Sequence, residues 1–147
     1  MKLGNYELEV PVFLAPLAGV TDKAFRQTVR AVGGKYVWTE MISDKALTYR
    51  NPRTLDMLDL SGEAEPRIVQ LFGSNPETMA RAALLAIEYK ANVIDINMGC
   101  PMLKIVKNGE GSALLRDLSR AQAIASAVVQ AVNVPVTVKI RLGWNDD

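Results

Sequence analysis

Five short runs of apolar and β-branched residues punctuate the chain, at 12–16, 36–40, 67–72, 93–97 and 134–140. Between them lie segments of helical period with start and stop signals. Asp22 is placed to cap a helix whose apolar face is Phe25, Val29 and Val32, with Gly33-Gly34 as a left-handed exit. Asn75-Pro76-Glu77 supplies a cap, an N1 proline and a first-turn acid ahead of Met79, Ala83, Ala86 and Ile87. Ser119 opens a last helix with Ala121, Ile124, Val128 and Ala131 on one stripe. Residues 43–58 are less regular, and Asn51-Pro52 divides two short helices there.

Strands alternating with helices predict βαβ units and a parallel sheet, either open and doubly wound or closed as a (β/α)8 barrel. The runs finish in residues that a buried strand avoids: Thr39-Glu40, Gln70, Asn97 with Cys100, and Lys139 with Arg141. Polar groups at the C-terminal ends of several strands suit a barrel, whereas an open sheet gathers them at one switch point. Five strands can be counted, against eight in a complete barrel. The expected fold is therefore α/β, a partial (β/α)8 TIM barrel of about the first five βα units. Residues 1–147 would be the N-terminal portion of a catalytic domain. Such a piece exposes strand edges and apolar surface, which self-association would relieve.

Composition narrows the chemistry. Apolar residues make up 49% of the 147 and charged residues 22%, as in a globular protein. Lys plus Arg (17) against Asp plus Glu (16) gives +1, so net charge neither predicts nor excludes a polyanionic partner. The single cysteine excludes an internal disulfide and suits a reducing compartment. The lack of histidine removes triads and zinc sites that need imidazole from this chain, and no metal constellation is visible. No apolar run approaches the roughly 18 residues of a membrane span, and residues 1–10 carry no signal-peptide core. A cytoplasmic location is expected.

Cys100 sits in Asn97-Met-Gly-Cys-Pro101, directly after a buried run. A lone cysteine is commonly a small buried hydrophobe, but Gly99 and Pro101 force a turn that brings this thiol to a strand exit. A thiol is mostly protonated near neutral pH and can serve as a general acid without an activating base. Lys139 and Arg141 lie on the polar face of a Val-rich strand, as snorkelling cations or as partners of an anionic ligand. Gln70 offers an amide able to donate to and accept from a planar heterocycle. Asp95 is assigned no role beyond pairing within the barrel. Ala15-Pro16-Leu17-Ala18-Gly19 is either a plain turn or a place where small side chains let backbone amides approach a flat ligand. Lys104, Lys107, Asn108-Gly-Glu-Gly111 and Arg116 form a polar stretch that is either a flexible loop or a phosphate cradle.

Several stretches together resemble the tRNA-dihydrouridine synthases, flavin enzymes built on a (β/α)8 barrel. They are Leu14-Ala-Pro-Leu-Ala-Gly-Val-Thr-Asp22 with Phe25-Arg26, Thr39-Glu-Met41, Val69-Gln-Leu-Phe-Gly-Ser74, Ile94-Asp-Ile-Asn-Met-Gly-Cys-Pro101, Gly111-Ser-Ala-Leu-Leu115 and Pro135-Val-Thr-Val-Lys-Ile-Arg-Leu-Gly-Trp144. They run in family order from end to end of the chain. Leu17 stands where the family often has Met, a near-isosteric exchange. The resemblance implies FMN against Pro16, Leu17 and Ala18, with Gln70 and Lys139 at its polar edge. It implies Cys100 as proton donor, with Asn97 and Arg141 close to the uracil and flavin; Lys104, among the basic residues flanking the thiol, suits a substrate with a phosphate backbone. The implied reaction is reduction of the uridine C5=C6 bond in tRNA, with NADPH as reductant.

The same resemblance implies that further strands, FMN-phosphate loops, a flavin-site histidine and a helical RNA-binding domain follow residue 147, so that this chain alone is expected to bind FMN weakly and to be inactive. Two other readings fit the same residues. One is a flavin-dependent dehydrogenase of free pyrimidines or dihydroorotate. The other is a non-catalytic half-barrel that associates through its edges.

Overall fold

The strand-forming runs assemble into two sheets in the computed structural model, which describes residues 2–145; Met1, Asp146 and Asp147, at the ends of the expected 1–147 span, lie outside the described residues. A short antiparallel hairpin comes first, β1 (Lys2–Leu3) with β2 (Tyr6–Glu7). Its turn residue Gly4 has φ +56°, and the ring of Pro135 occupies the space a side chain there would need. The main sheet holds five strands: β3 (Phe13–Leu14), β4 (Tyr36–Ser43), β5 (Ile68–Phe72), β6 (Val93–Asn97) and β7 (Val136–Lys139). All neighbours are parallel, and the spatial order is the chain order. A doubly wound sheet reverses its strand order at a switch point, whereas a (β/α)8 barrel adds strands in sequence. The uninterrupted order is that of a partial TIM barrel.

The connecting helices are α1 (Lys23–Ala31), α2 (Asp44–Thr48), α3 (Pro52–Met57), α4 (Pro76–Glu88), α5 (Leu103–Val106) and α6 (Leu118–Ala131), with a 3-10 segment at Gly111–Arg116. The expected caps are formed at Asp22 and Asn75, and Asn51 also caps the helix it precedes; their side-chain oxygens accept the N–H of Phe25, Thr78 and Thr54 respectively. Strand alternation divides the sheet faces. Val69, Leu71, Ile94 and Ile96 pack on Met79, Ala83 and Ala86 of α4 and on Ile124 and Val128 of α6. Each such large aliphatic side chain, fully buried, contributes roughly 1.5–3 kcal/mol. The opposite face carries Gln70, Asp95, Asn97, Thr137 and Lys139.

Several expected boundaries are corrected. The second strand runs on to Ser43 because Thr39-Glu40 marks a bulge: Trp38 pairs with Ile68 but Met41 with Gln70. The Thr39 hydroxyl accepts the Gln70 N–H there at 3.1 Å. The first strand stops at Leu14, since Pro16 has no N–H to give a ladder. The buried face of α1 is set by charge: Arg26 is 1% exposed, while Phe25 and Val32 face solvent. Glu63 neutralises Arg26 at 2.5 Å, and the Thr21 carbonyl accepts from it at 2.8 Å. The last helix is capped by Asp117, not Ser119; its carboxylate accepts the Arg120 N–H at 3.0 Å.

Candidate active site

The polar face of the sheet is a ladder of in-register side chains. Gln70 on β5 stands opposite Asp95 on β6, Asp95 opposite Thr137 on β7, and Asn97 opposite Lys139. Gln70 Nε2 donates to Asp95 Oδ2 at 2.5 Å, and Thr137 Oγ1 donates to Asp95 Oδ1 at 2.6 Å. Asn97 Nδ2 donates to Gln70 Oε1 at 2.9 Å. Gln70 is therefore not a free amide at a strand exit, as its place in the run suggested, but the buried middle of a network, 1% exposed. Burial pushes the Asp95 carboxyl up; hydrogen bonds from Thr137 and Gln70, the charge of Lys139 and a hydrogen bond with Trp38 pull it back.

Cys100 follows β6 on a half-buried loop. Asn97 Oδ1 accepts the N–H of Gly99 at 3.2 Å and of Cys100 at 3.0 Å, folding the turn around one side chain. The Cys100 carbonyl accepts the Ser112 N–H at 3.0 Å. Gly111, at φ +61°, lies so close that a side-chain carbon there would come within 2.6 Å of that carbonyl and 3.1 Å of Cys100 Cβ. The glycine-bearing stretch thus backs the thiol loop, which answers the choice between flexible loop and phosphate cradle with a third role. Arg141 Nε donates to the Gly99 carbonyl at 2.5 Å, and Met98 N–H bonds to the Lys139 carbonyl at 2.9 Å.

The loop after β3 is a closed turn. Thr21, fully buried, accepts the Leu17 N–H at 3.1 Å and donates to the Leu17 carbonyl, and the Gly19 N–H is held by the Glu40 carboxylate. Two of its amides, those of Leu17 and Gly19, are thereby used internally, leaving fewer for the expected backbone approach to a flat ligand. Pro16 lines a cleft of about 270 Å³ together with Leu3, Leu8, Phe13, Trp38, Asp95 and Lys139. Leu17 and Ala18 are exposed beyond it. The Lys139 ammonium makes no hydrogen bond or ion pair among the described residues.

The fold thus brings Gln70, Asn97, Cys100 and Arg141 into one bonded group, with Pro16 and Lys139 on the adjoining cleft. Cys100 is not among the cleft's lining residues. Lys104 stands apart, exposed on α5 without a partner among the described residues. Asp95 pairs within the barrel, as the sequence reading expected, but its partners were not named there, and no site role was given to Thr137 or Trp38. A signal was present: Asp95 and Asn97 are polar at i and i+2 of an apolar strand, so they share one face. No group of three or more His, Cys, Asp or Glu among the described residues could hold a metal ion, and no helix among them is long and apolar enough to cross a membrane.

Residues 13–147 match the family model described as dihydrouridine synthase. Over 147 residues the chain is 45% identical to the tRNA-dihydrouridine synthase B of Pseudomonas aeruginosa, covering all of this chain and 44% of that relative's length. It is 44% identical to the synthase B of Xanthomonas axonopodis pv. citri, again over the whole chain and 44% of the relative. The Vibrio cholerae synthase B is also 44% identical, with 46% of its length covered. The chain spans less than half the length of these curated relatives.

Proposed function

Since this chain belongs to the dihydrouridine synthase family, we propose that it carries the proton-donating and flavin-facing residues of an enzyme that reduces the C5=C6 bond of tRNA uridines, with FMN as cofactor and NADPH as reductant. The observation that carries the reading is the side chain of Asn97. It bonds at one end to the Cys100 loop and at the other to Gln70, joining the thiol to the polar ladder beside the cleft.

The residues fit a flat, electron-accepting ring. The cleft walls at Leu3, Leu8, Phe13 and Pro16 are apolar, and Lys139 adds a cation without a bonded partner among the described residues. Pro16, Leu17, Ala18 and Lys139 would hold the flavin, and Gln70, its amide bonded to Asp95 and Asn97, would support the site from behind. When bound, the flavin supplies the hydride that adds to C6 of the uracil. The Cys100 thiol gives its proton to C5, so one hydride and one proton saturate the bond, and the thiolate regains a proton from solvent. Lys139, whose ammonium has no bonded partner among the described residues, would stabilise negative charge on the bound flavin. Arg141 contacts the uracil, Asn97 lies behind it holding the thiol loop, and Lys104 meets the phosphate backbone of the tRNA. The target nucleotide must leave its stack to reach such a site.

The test is Cys100→Ala in the full gene product. Uridine reduction in tRNA is expected to fall by about 10²–10⁴, the usual contribution of a positioned acid, while flavin absorbance stays with the protein. Loss of the flavin together with activity would make Cys100 structural, and undiminished reduction would remove it as the donor. Turnover of free uracil or dihydroorotate in preference to tRNA would overturn the substrate assignment.

A further inference from the structure

We infer that Asp95 is a positioning residue whose carboxylate sets the direction of a hydrogen-bond relay running from the middle of β6 to the loop that carries Cys100. The direction is fixed independently from both ends. At the loop end, the Gly99 and Cys100 N–H groups can only donate, so the Asn97 atom facing them is Oδ1, at 3.2 and 3.0 Å. Asn97 Nδ2 must then face Gln70 Oε1, at 2.9 Å, which turns Gln70 Nε2 toward Asp95 Oδ2, at 2.5 Å. At the other end an ionised carboxylate can only accept, and it requires that same Nε2 hydrogen. Thr137 donates to its second oxygen at 2.6 Å, so both oxygens are held as acceptors.

The relay is short and buried. Asp95 is 2% exposed, Gln70 1% and Asn97 7%. Water therefore does not compete for the amide ends, and each orientation depends on its neighbour. An amide in place of the Asp95 carboxylate presents a donor or an acceptor equally well. The direction is then held from the loop end alone, and the reversed relay, which turns the Asn97 NH2 toward the two backbone N–H groups and releases the thiol loop, becomes populated. The consequence for proton delivery rests on the reading of Cys100 given above; the relay itself does not.

Two variants test it. Asp95→Asn keeps the volume and removes the fixed acceptor. Asp95→Asn combined with Gln70→Glu moves the carboxylate one place along, where it accepts from the introduced amide on β6 and from Asn97. Asn97 is thereby aligned again, with the same charge in the same volume. The readout is the rate of Cys100 alkylation by iodoacetamide, measured on its peptide, without cofactor or tRNA. Asp95→Asn is expected to speed alkylation about three- to tenfold, the factor that one lost hydrogen bond of ordinary strength is worth. The double variant is expected to return to within about twofold of the parent. A folded Asp95→Asn with the parent's rate would overturn the relay, as would a double variant as reactive as the single one. If Asp95→Asn does not fold, recovery of native near-ultraviolet dichroism in the double variant supports the relay and its failure overturns it. Uridine reduction is assayed separately, so a parent protein inactive on tRNA would count against the reaction and leave the relay standing.

Discussion

Asn97 and Gly111 hold the thiol loop from opposite sides, one by what its side chain accepts and the other by having none. Gly111→Ala places a carbon at φ +61° within 2.6 Å of the Cys100 carbonyl. It is expected to cost about 1–3 kcal/mol, read as a lower urea midpoint, and to disturb Cys100 more than any helix. Asp95 makes a prediction in pH. Burial raises its pKa, so through and above the ordinary carboxylate range the folded chain holds more protons than the unfolded one. Its contribution to stability is therefore present below that range and is lost as pH rises through the folded value. Urea midpoints of Asp95→Asn are expected to fall less steeply between about pH 4 and pH 7 than those of the parent; an identical slope would sink the assignment. At this scale the motif around Cys100 was legible because its glycine and proline fix a turn locally. The value of Asp95 was not, because its partners Gln70 and Thr137 lie 25 and 42 positions away.

Five of the six α-helices among the described residues begin at a side-chain cap. Asn51 and Asn75 cap α3 and α4 as their sequences dictate, since a cap needs only a neighbour two or three residues on. The face of α1 follows a different rule. Its periodic Phe25 and Val32 stay in solvent while Arg26 is buried against Glu63 at 2.5 Å, with Arg30 Nε at 3.8 Å from the same carboxylate. Arg26 also bonds the Thr21 carbonyl, and Thr21 closes the loop that carries Pro16, Leu17 and Ala18. Glu63→Gln leaves a buried guanidinium uncompensated and is expected to cost about 3–5 kcal/mol. A loss near zero, measured by thermal or urea unfolding, would show that the pair adds nothing. Hydrophobic periodicity missed this face because it treats every arginine as solvent-seeking, whereas a paired one tolerates the interior.

Seen whole, the sheet has two unpaired edges among the described residues, β3 on one side and β7 on the other. Val138, Ile140 and Leu142 are exposed at or just beyond β7, as are Val12 and Phe13 at β3. We expect the isolated chain to self-associate, with a sedimentation coefficient that rises with protein concentration; a concentration-independent monomer would contradict this. The alternation of apolar runs with helical segments, the capping residues and the turn around Cys100 are properties of neighbours along the chain, and so the sequence alone determined the order of the five main-sheet strands, the α/β class and the place of the thiol, but not the β1–β2 hairpin, α5 or the 3-10 segment. Which residues face one another across the sheet depends on register, and register is an outcome of packing between segments tens of residues apart. For that reason only the folded chain could select the bulge at Thr39, bury Arg26, and join Asp95, Gln70 and Asn97 into the support of Cys100.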